Sequence, residues 1–179
     1  MPSPLDGYTI TQPEWEVRAF PDGEYLKLKG TIEEVRRELL EINPNWDNDF
    51  VSKTKRSNNQ VQKRTDFSNS NFNCFGRWGG AQMEVIENGI DYLRGVDGRP
   101  NMGPGPGNCG RVSCSYNSGI YWCNDADETK TLNSFGSIAD GAQKIVDECQ
   151  MPILDNPTLS AGQVFHYTDW NVIVTSDTC

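Results

Sequence analysis

The chain has 179 residues, of which 36% are hydrophobic, and a formal net charge of -9. This length suits one domain of ordinary size, or a small domain with an appendage, and it excludes two large domains. No apolar run approaches the roughly 18 residues that a membrane-spanning helix needs, so we expect no membrane insertion.

Negative charge is concentrated in the later part of the chain. Residues 1–64 hold ten Lys/Arg and eleven Asp/Glu, which gives a net charge of -1. Residues 65–179 hold six and fourteen, which gives -8. Nucleic acids and anionic lipids both select for positive charge, so we expect neither as a partner of the later part.

The first 50 residues predict two strands followed by a helix. The segments GYTITQPEWEVRAF and EYLKLKG alternate apolar and polar residues around the turn Pro21–Gly23, and Pro13 indicates an edge or a bulge. The segment TIEEVRRELLEI predicts a helix with Thr31 and Glu34 as a capping box, and Pro44 ends it. This ββα segment either extends the sheet of the later part or folds apart from it.

The polar segment from Lys53 to Phe67 contains two basic pairs, Lys55-Arg56 and Lys63-Arg64. A kexin-type protease of the secretory pathway cuts after such pairs, because its acidic subsites need adjacent positive side chains on accessible backbone. Both pairs lie at the boundary where charge and cysteine content change, so we predict cleavage after Arg56 or Arg64. A polar surface loop with accidental basic pairs is the alternative.

All the cysteines follow both basic pairs, and their even number at unequal spacings predicts three disulfides and an extracellular setting. A zinc site is the competing interpretation, but C-x2-C is absent and His166 is the only histidine. We therefore predict a cysteine-free ββα segment at residues 1–64, acting as a propeptide, and a disulfide-stapled mature domain at residues 65–179. The sequence leaves the pairing open among Cys74, Cys109, Cys114, Cys123, Cys149 and Cys179.

The order of elements predicted in residues 65–179 is helix, hairpin, helix, hairpin. AQMEVIENGIDYLRG and SIADGAQKIVDEC have helical apolar spacing, the second with Ser137 and Asp140 as cap partners. RVSCSYNSGIYWCND predicts a hairpin that turns at Asn117–Gly119, and GQVFHYTDWNVIVTSD one that turns at Thr168–Asp169. The predicted fold class is α+β, an antiparallel sheet with helices packed on one face.

Residues suited to catalysis are few. His166 could serve a nucleophilic cysteine only if a thiol were unpaired, and His166 with Asp169 lacks the G-x-S-x-G elbow of a serine hydrolase. Asp125, Asp127 and Glu128 form the acidic stretch DADE, which could bind a cation or hydrolyse a glycoside, although an exposed acidic turn is the ordinary interpretation. We expect no catalytic residue, no cofactor and no metal site.

Aromatic residues offer a candidate binding surface. The segment NCFGRWGG joins Arg77 to Trp78, and together with Trp122 and Trp170 they could supply a platform for a sugar or a receptor. The alternative is that these tryptophans cover the core between helices and sheet.

The stretches NCGRVSCSYNSGIYWCND, GSIADGAQKIVDEC and GYTITQPEWEV resemble small secreted cysteine-rich proteins of filamentous fungi, of the effector or elicitor type, and the likeness covers nearly the whole chain. The order of elements in residues 81–179 is also similar to the α/β-sandwich killer toxins of smut fungi, whose members block calcium channels or damage competing cells. Those toxins carry more cysteines, and their channel block is attributed to basic side chains, whereas the later part of this chain is acidic.

The resemblance implies a secreted, monomeric effector or toxin that acts on a surface protein or glycan of host or competitor cells and elicits cell death or defence as a virulence factor. Its maturation would need a kexin-type protease. The alternative function is a small secreted hydrolase or a glycan-binding cell-wall protein.

Overall fold

The computed structural model describes residues 5–51 and 64–179, and the fold is α+β, as predicted. The α-helices among these residues are α1 (Ile32–Ile42), α2 (Met83–Gly95) and α3 (Gly136–Glu148), with a π-helical turn at Asp47–Val51. The strands are β1 (Thr9–Ile10), β2 (Glu14–Arg18), β3 (Tyr25–Lys29), β4 (Phe72–Cys74), β5 (Ala81–Gln82), β6 (Asn101–Met102), β7 (Asn108–Ser115), β8 (Ser118–Asn124), β9 (Lys130–Thr131), β10 (Gln150–Met151), β11 (Leu159–Ser160), β12 (Gly162–His166) and β13 (Trp170–Ser176).

The main sheet has six strands in the order β1-β7-β8-β13-β12-β4. The hairpins β7/β8 and β12/β13 are those that the sequence predicted, and β8 pairs with β13 to join them. Within the described strands of this sheet, only β1 pairs in parallel, with β7. Smaller sheets are β2/β3, β6/β9 and β10/β11/β5.

The helix α1 begins as the sequence predicted. The Thr31 side chain accepts a hydrogen bond from the Glu34 backbone N–H, and the Glu34 carboxylate accepts from the Thr31 N–H at 2.8 Å. The capping box is therefore confirmed. Asn43 follows the last helical residue and donates from Nδ2 to the Ala19 carbonyl at 2.8 Å, which ties the end of α1 to the β2/β3 hairpin.

The predicted caps of α3 are wrong. This helix begins after Phe135 with no side-chain cap, while Ser137 and Asp140 bind groups far away in sequence. The Ser137 hydroxyl accepts from the Thr65 hydroxyl, and the Asp140 carboxylate binds Arg94 and the Thr65 N–H. Tertiary partners replace the local ones because both side chains are largely covered by other segments.

The first hairpin turns one residue earlier than predicted. Ser115 pairs with Ser118, so Tyr116 and Asn117 form a two-residue turn, and both have positive φ angles of 43° and 56°. Such turns match the right-handed twist of the flanking strands. The second hairpin turns through Thr168 and Asp169, as predicted, with Asp169 at a φ of 62°.

The helices pack on one face of the main sheet, and a smaller apolar cluster covers the other face. On the helix side, Val112, Ile120, Trp122, Val164 and Val172 of the sheet join the apolar faces of α2 and α3. The cluster on the other side consists of Leu5, Trp78, Cys109, Tyr121, Cys123, Ala161 and Ile173.

Residues 5–51 share the core of the later part. The Trp15 side chain is fully buried and stacks on Phe135, with ring centroids 4.2 Å apart. Its indole Nε1 donates to the Gly30 carbonyl at 2.8 Å. The strand β1 extends the main sheet, whereas β2 and β3 form a sheet of their own that packs on the common core. Whether residues 1–64 are a propeptide stays a prediction.

Candidate functional sites

Three disulfides confirm the predicted framework, and none of the six cysteines is free. Cys109–Cys123 links neighbouring positions of β7 and β8, which pair with each other in the sheet. Cys74–Cys149 links the edge strand β4 to the end of α3, and Cys114–Cys179 links β7 to the last residue of the chain. All three lie within residues 64–179, so none joins that part to residues 5–51.

The processing residues Lys55, Arg56 and Lys63 lie outside the described residues, whereas Arg64 is described and exposed. The next residue, Thr65, is fixed to α3. Its backbone N–H donates to Asp140 Oδ2 at 2.8 Å.

Polar contacts hold residues 5–51 against the later part. The Glu33 carboxylate, in the first turn of α1, accepts from Ser113 Oγ at 2.5 Å and from the Cys114 N–H at 3.0 Å. Arg18 of β2 forms an ion pair with Asp97, which follows α2. These contacts add polar links between the two parts to the apolar core that they share.

The structure buries the three predicted tryptophans. Trp78, Trp122 and Trp170 are each at most 3% exposed. Arg77 is exposed, and its guanidinium lies 4.6 Å from the centroid of the Trp78 ring and 5.3 Å from that of Tyr8. That Arg77 and the three tryptophans bind a partner stays a prediction. Among these four residues, Arg77 is the exposed one.

A stack of aromatic rings extends from the core to the end of the second hairpin. The His166 imidazole packs against the Trp170 indole, with centroids 4.8 Å apart and ring planes 30° apart. On the solvent side it packs against Tyr167, at 4.4 Å and 32°. Tyr167 is 83% exposed, so its ring is available to a ligand. Phe67 contacts both His166 and Trp170 edge-on and anchors the stack.

Hydrogen bonds favour the neutral form of His166. The Thr168 backbone N–H donates to His166 Nδ1 at 3.3 Å, and the Thr168 hydroxyl lies 2.7 Å from the same atom. That hydroxyl also accepts from Trp170 Nε1, so its own proton is free to point at Nδ1. Burial and the nearby Lys130 lower the pKa of His166 below its usual value, against the opposing effect of Asp66.

A cleft of about 360 Å³ adjoins this stack. One wall is the end of the second hairpin, with Phe165, His166 and Tyr167. The other wall is the segment from Asp66 to Asn71, whose backbone is tied to the hairpin by the Phe165 N–H bond to the Asn71 carbonyl, at 2.9 Å. The sequence analysis did not predict this cleft. The one local indication of it is Tyr167, an aromatic residue in a hairpin turn.

Within the acidic stretch DADE, the Asp125 carboxylate is bound by neighbouring segments. Asp125 Oδ2 accepts from Asn171 Nδ2 at 2.6 Å, and its Oδ1 accepts from the Gly107 N–H at 3.2 Å. Asp127 and Glu128 are exposed. Across the described ranges, no group of three or more His, Cys, Asp or Glu side chains could hold a metal ion.

Comparisons of the chain with protein-family models, with curated proteins and with solved structures find no match. None of the helices within residues 5–51 and 64–179 combines the length and the apolar character needed to cross a bilayer.

Proposed function

We propose that this protein is a secreted effector or toxin that is matured by cleavage at a Lys-Arg pair and then acts at the surface of host or competitor cells. One observation carries the proposal: three disulfides staple the part of the chain that follows the basic pairs, and Arg64 of the second pair is exposed. Disulfides of this kind form and persist in oxidising compartments, where processing proteases also act.

Maturation in this proposal produces two chains that stay together. No disulfide joins residues 5–51 to the later part, yet Trp15, Val17, Ile32 and Leu39 are buried in the common core. Removing such a segment would expose apolar surface on both pieces, at a cost of about 25 cal/mol for each Å². The mature protein is therefore a non-covalent complex of the earlier segment with the disulfide-linked domain.

The test uses the full chain, secreted from fungal cells with and without their kexin-type protease. We expect the secreted protein to have a second N-terminus at Ser57 or Thr65, and its two chains to elute together in gel filtration and separate in denaturant. Purified protein infiltrated into leaves, or added to competitor cells, should cause cell death or a defence response. A protein that carries only the original N-terminus, or that is inert in both assays when correctly oxidised, would contradict the proposal.

The effector acts without catalysis by its single histidine. A His166→Gln variant that retains its fold should keep the full response. Loss of the response in that variant would favour the hydrolase alternative over the effector.

Glycan binding is a second candidate function, favoured by the cleft beside Tyr167. A pyranose packs its C–H face on an exposed aromatic ring while hydroxyls and amides bind its polar edge. The facing wall carries Asn69, Ser70 and Asn71, and the volume of about 360 Å³ is at the small end of ligand sites.

The matched control for this site is the other hairpin. Tyr116 is 77% exposed in the turn of β7/β8, at the opposite end of the sheet. We expect Tyr167→Ala to weaken binding to insoluble chitin or glucan at least tenfold, Tyr167→Phe to retain binding, and Tyr116→Ala to change nothing. Equal loss from Tyr167→Ala and Tyr116→Ala, or no retention on any polysaccharide, would exclude this candidate.

A further inference from the structure

The segment after the second basic pair is fixed to α3 from its first residue. The Thr65 N–H donates to Asp140 Oδ2 at 2.8 Å, and the Thr65 hydroxyl donates to Ser137 Oγ at 2.8 Å. The Asp140 side chain is only 8% exposed, and its Oδ1 accepts from Arg94 at 2.7 Å. A buried carboxylate needs partners on both oxygens, because burial removes its water. The nitrogen of Thr65 is one of those partners.

We infer that the bond between Arg64 and Thr65 is the maturation cut, and that Asp140 is the binding site for the α-ammonium group that this cut creates. This inference rests on the proposed maturation. The processing protease adds water across the bond: Arg64 becomes the carboxylate end of the preceding chain, and the nitrogen stays on Thr65. The free amine takes up a proton near neutral pH.

The cut strengthens a contact that is already in place. Asp140 Oδ2 accepts a neutral amide N–H in the uncut chain and a charged N–H in the cut chain, and charge-assisted hydrogen bonds are about twice as strong as neutral ones. Arg94 binds the other oxygen, so both cations have separate acceptors. The surrounding cleft is also lined by Arg64, Lys144 and Asp147, and Lys144 forms an ion pair with Glu148 at 2.8 Å.

A cut after Arg56 would not have this effect. It leaves residues 57–64 attached to Thr65, so the nitrogen at Asp140 remains an amide. A protease needs extended backbone on both sides of the bond, so Thr65 must leave Asp140 briefly during cutting. Phe67 is only 5% exposed and holds the segment two residues further on, so the new N-terminus returns to the same position.

The experiment compares the two possible cuts. Lys55→Ala/Arg56→Ala allows cutting only after Arg64, and Lys63→Ala/Arg64→Ala only after Arg56. Each protein is cut with a purified kexin-type protease and unfolded in denaturant at one concentration, with and without Asp140→Asn. Asp140→Asn disrupts the Arg94 contact in both cut proteins. The difference between its effects on the two proteins therefore measures the contribution of the ammonium group.

We expect Asp140→Asn to lower the folding equilibrium constant about fivefold more in the protein cut after Arg64 than in the one cut after Arg56. Ser137→Ala is the control, since its effect should be the same in both. An equal effect of Asp140→Asn in the two proteins would overturn the inference.

A second measurement does not depend on how well the Asp140 variant folds. In wild-type protein cut after Arg64, an amine-reactive ester should label the Thr65 amine at least tenfold more slowly in the native state than in denaturant. Equal rates would overturn the inference. A native N-terminus at Ser57 alone would overturn it as well but leave the proposed maturation intact, whereas an uncut secreted protein would overturn both.

Discussion

Residues 5–51 and residues 64–179 share one core but are held in it by different means. The later part is cross-linked three times, and each disulfide lowers the entropy of its unfolded chain. The earlier part has no covalent link besides the backbone and depends on buried side chains such as Trp15, and on polar contacts such as that of Glu33. Once the connecting backbone is cut, binding of the earlier part to the later one depends on protein concentration, whereas the later part stays held by its disulfides.

The largest expected effect concerns the disulfide that closes the longest loop. Cys74 and Cys149 are 75 residues apart, so Cys74→Ser/Cys149→Ser should lower the free energy of unfolding by about 4 kcal/mol. Denaturant unfolding of the full chain measures this change.

The short loop provides the matched control for this prediction. Cys109 and Cys123 are 14 residues apart, so replacing both by Ser should cost about 3 kcal/mol. If replacing this pair lowers the free energy of unfolding more than replacing Cys74 and Cys149 does, chain entropy does not explain the stabilisation. Packing of the buried sulfur atoms would then be its main source.

A single core residue should matter nearly as much in the part without cysteines. Trp15→Ala removes a fully buried indole stacked on Phe135 and should cost about 3–5 kcal/mol. In protein that has been cut at a Lys-Arg pair, the same change should release the earlier segment, which analytical ultracentrifugation detects.

The control for Trp15 lies on the same hairpin. Tyr25 is 58% exposed, and Tyr25→Ala should cost less than about 1 kcal/mol and leave the two chains together. Retention of the earlier segment in Trp15→Ala protein would mean that contacts outside the common core hold the two parts together.

The polar connection should have an intermediate effect. Glu33→Gln keeps the shape of the side chain but removes the charge that Ser113 Oγ and the Cys114 N–H bind, so it should cost about 1–2 kcal/mol. Thermal unfolding measures it. Glu38→Gln, at an exposed position of α1, is the control and should leave stability unchanged. If both substitutions lower the stability equally, the cause is the net charge of α1 and not the contact with Ser113 and Cys114.

The smallest effect concerns pH and belongs to the later part, which contains the only histidine of the chain. Because the folded protein lowers the pKa of His166, the unfolded chain binds a proton more readily. The contribution of neutral His166 to the free energy of unfolding is fully present above the usual histidine pKa of about 6.5. It should therefore be lost as the pH falls through the lower pKa that His166 has in the folded protein.

Denaturant midpoints between pH 7.5 and pH 5.5 test this prediction. His166→Gln should remove the dependence in that range, because His166 is the only histidine of the chain. A midpoint that rises on acidification in wild-type protein would contradict the direction of the shift.

Much of the fold could be predicted because its signals are local. The capping box of Thr31 and Glu34 and the two hairpins follow from residue types at short spacing, and the structure confirms them. The cap assigned to Ser137 and Asp140 failed because segments distant in sequence offered better partners. Short-range rules count only neighbouring residues, so they cannot detect such competition.

The candidate sites were harder to predict than the fold. The contact between Thr65 and Asp140 spans 75 positions, and the cleft beside Tyr167 needs the segment from Asp66 to Asn71 as its second wall. Nothing in either local sequence indicates the other. The tryptophans stood out in the sequence, but the core takes them because large apolar rings gain most from burial.

The sequence by itself determined the class of fold, the division of charge and cysteine between the two parts, and the positions of the basic pairs, since all of these depend on residue type and order. Only the tertiary structure decided which cysteines pair, that the cysteine-free part enters the common core, and that Thr65 meets Asp140. Those outcomes depend on three-dimensional packing, which brings together residues that no local pattern connects.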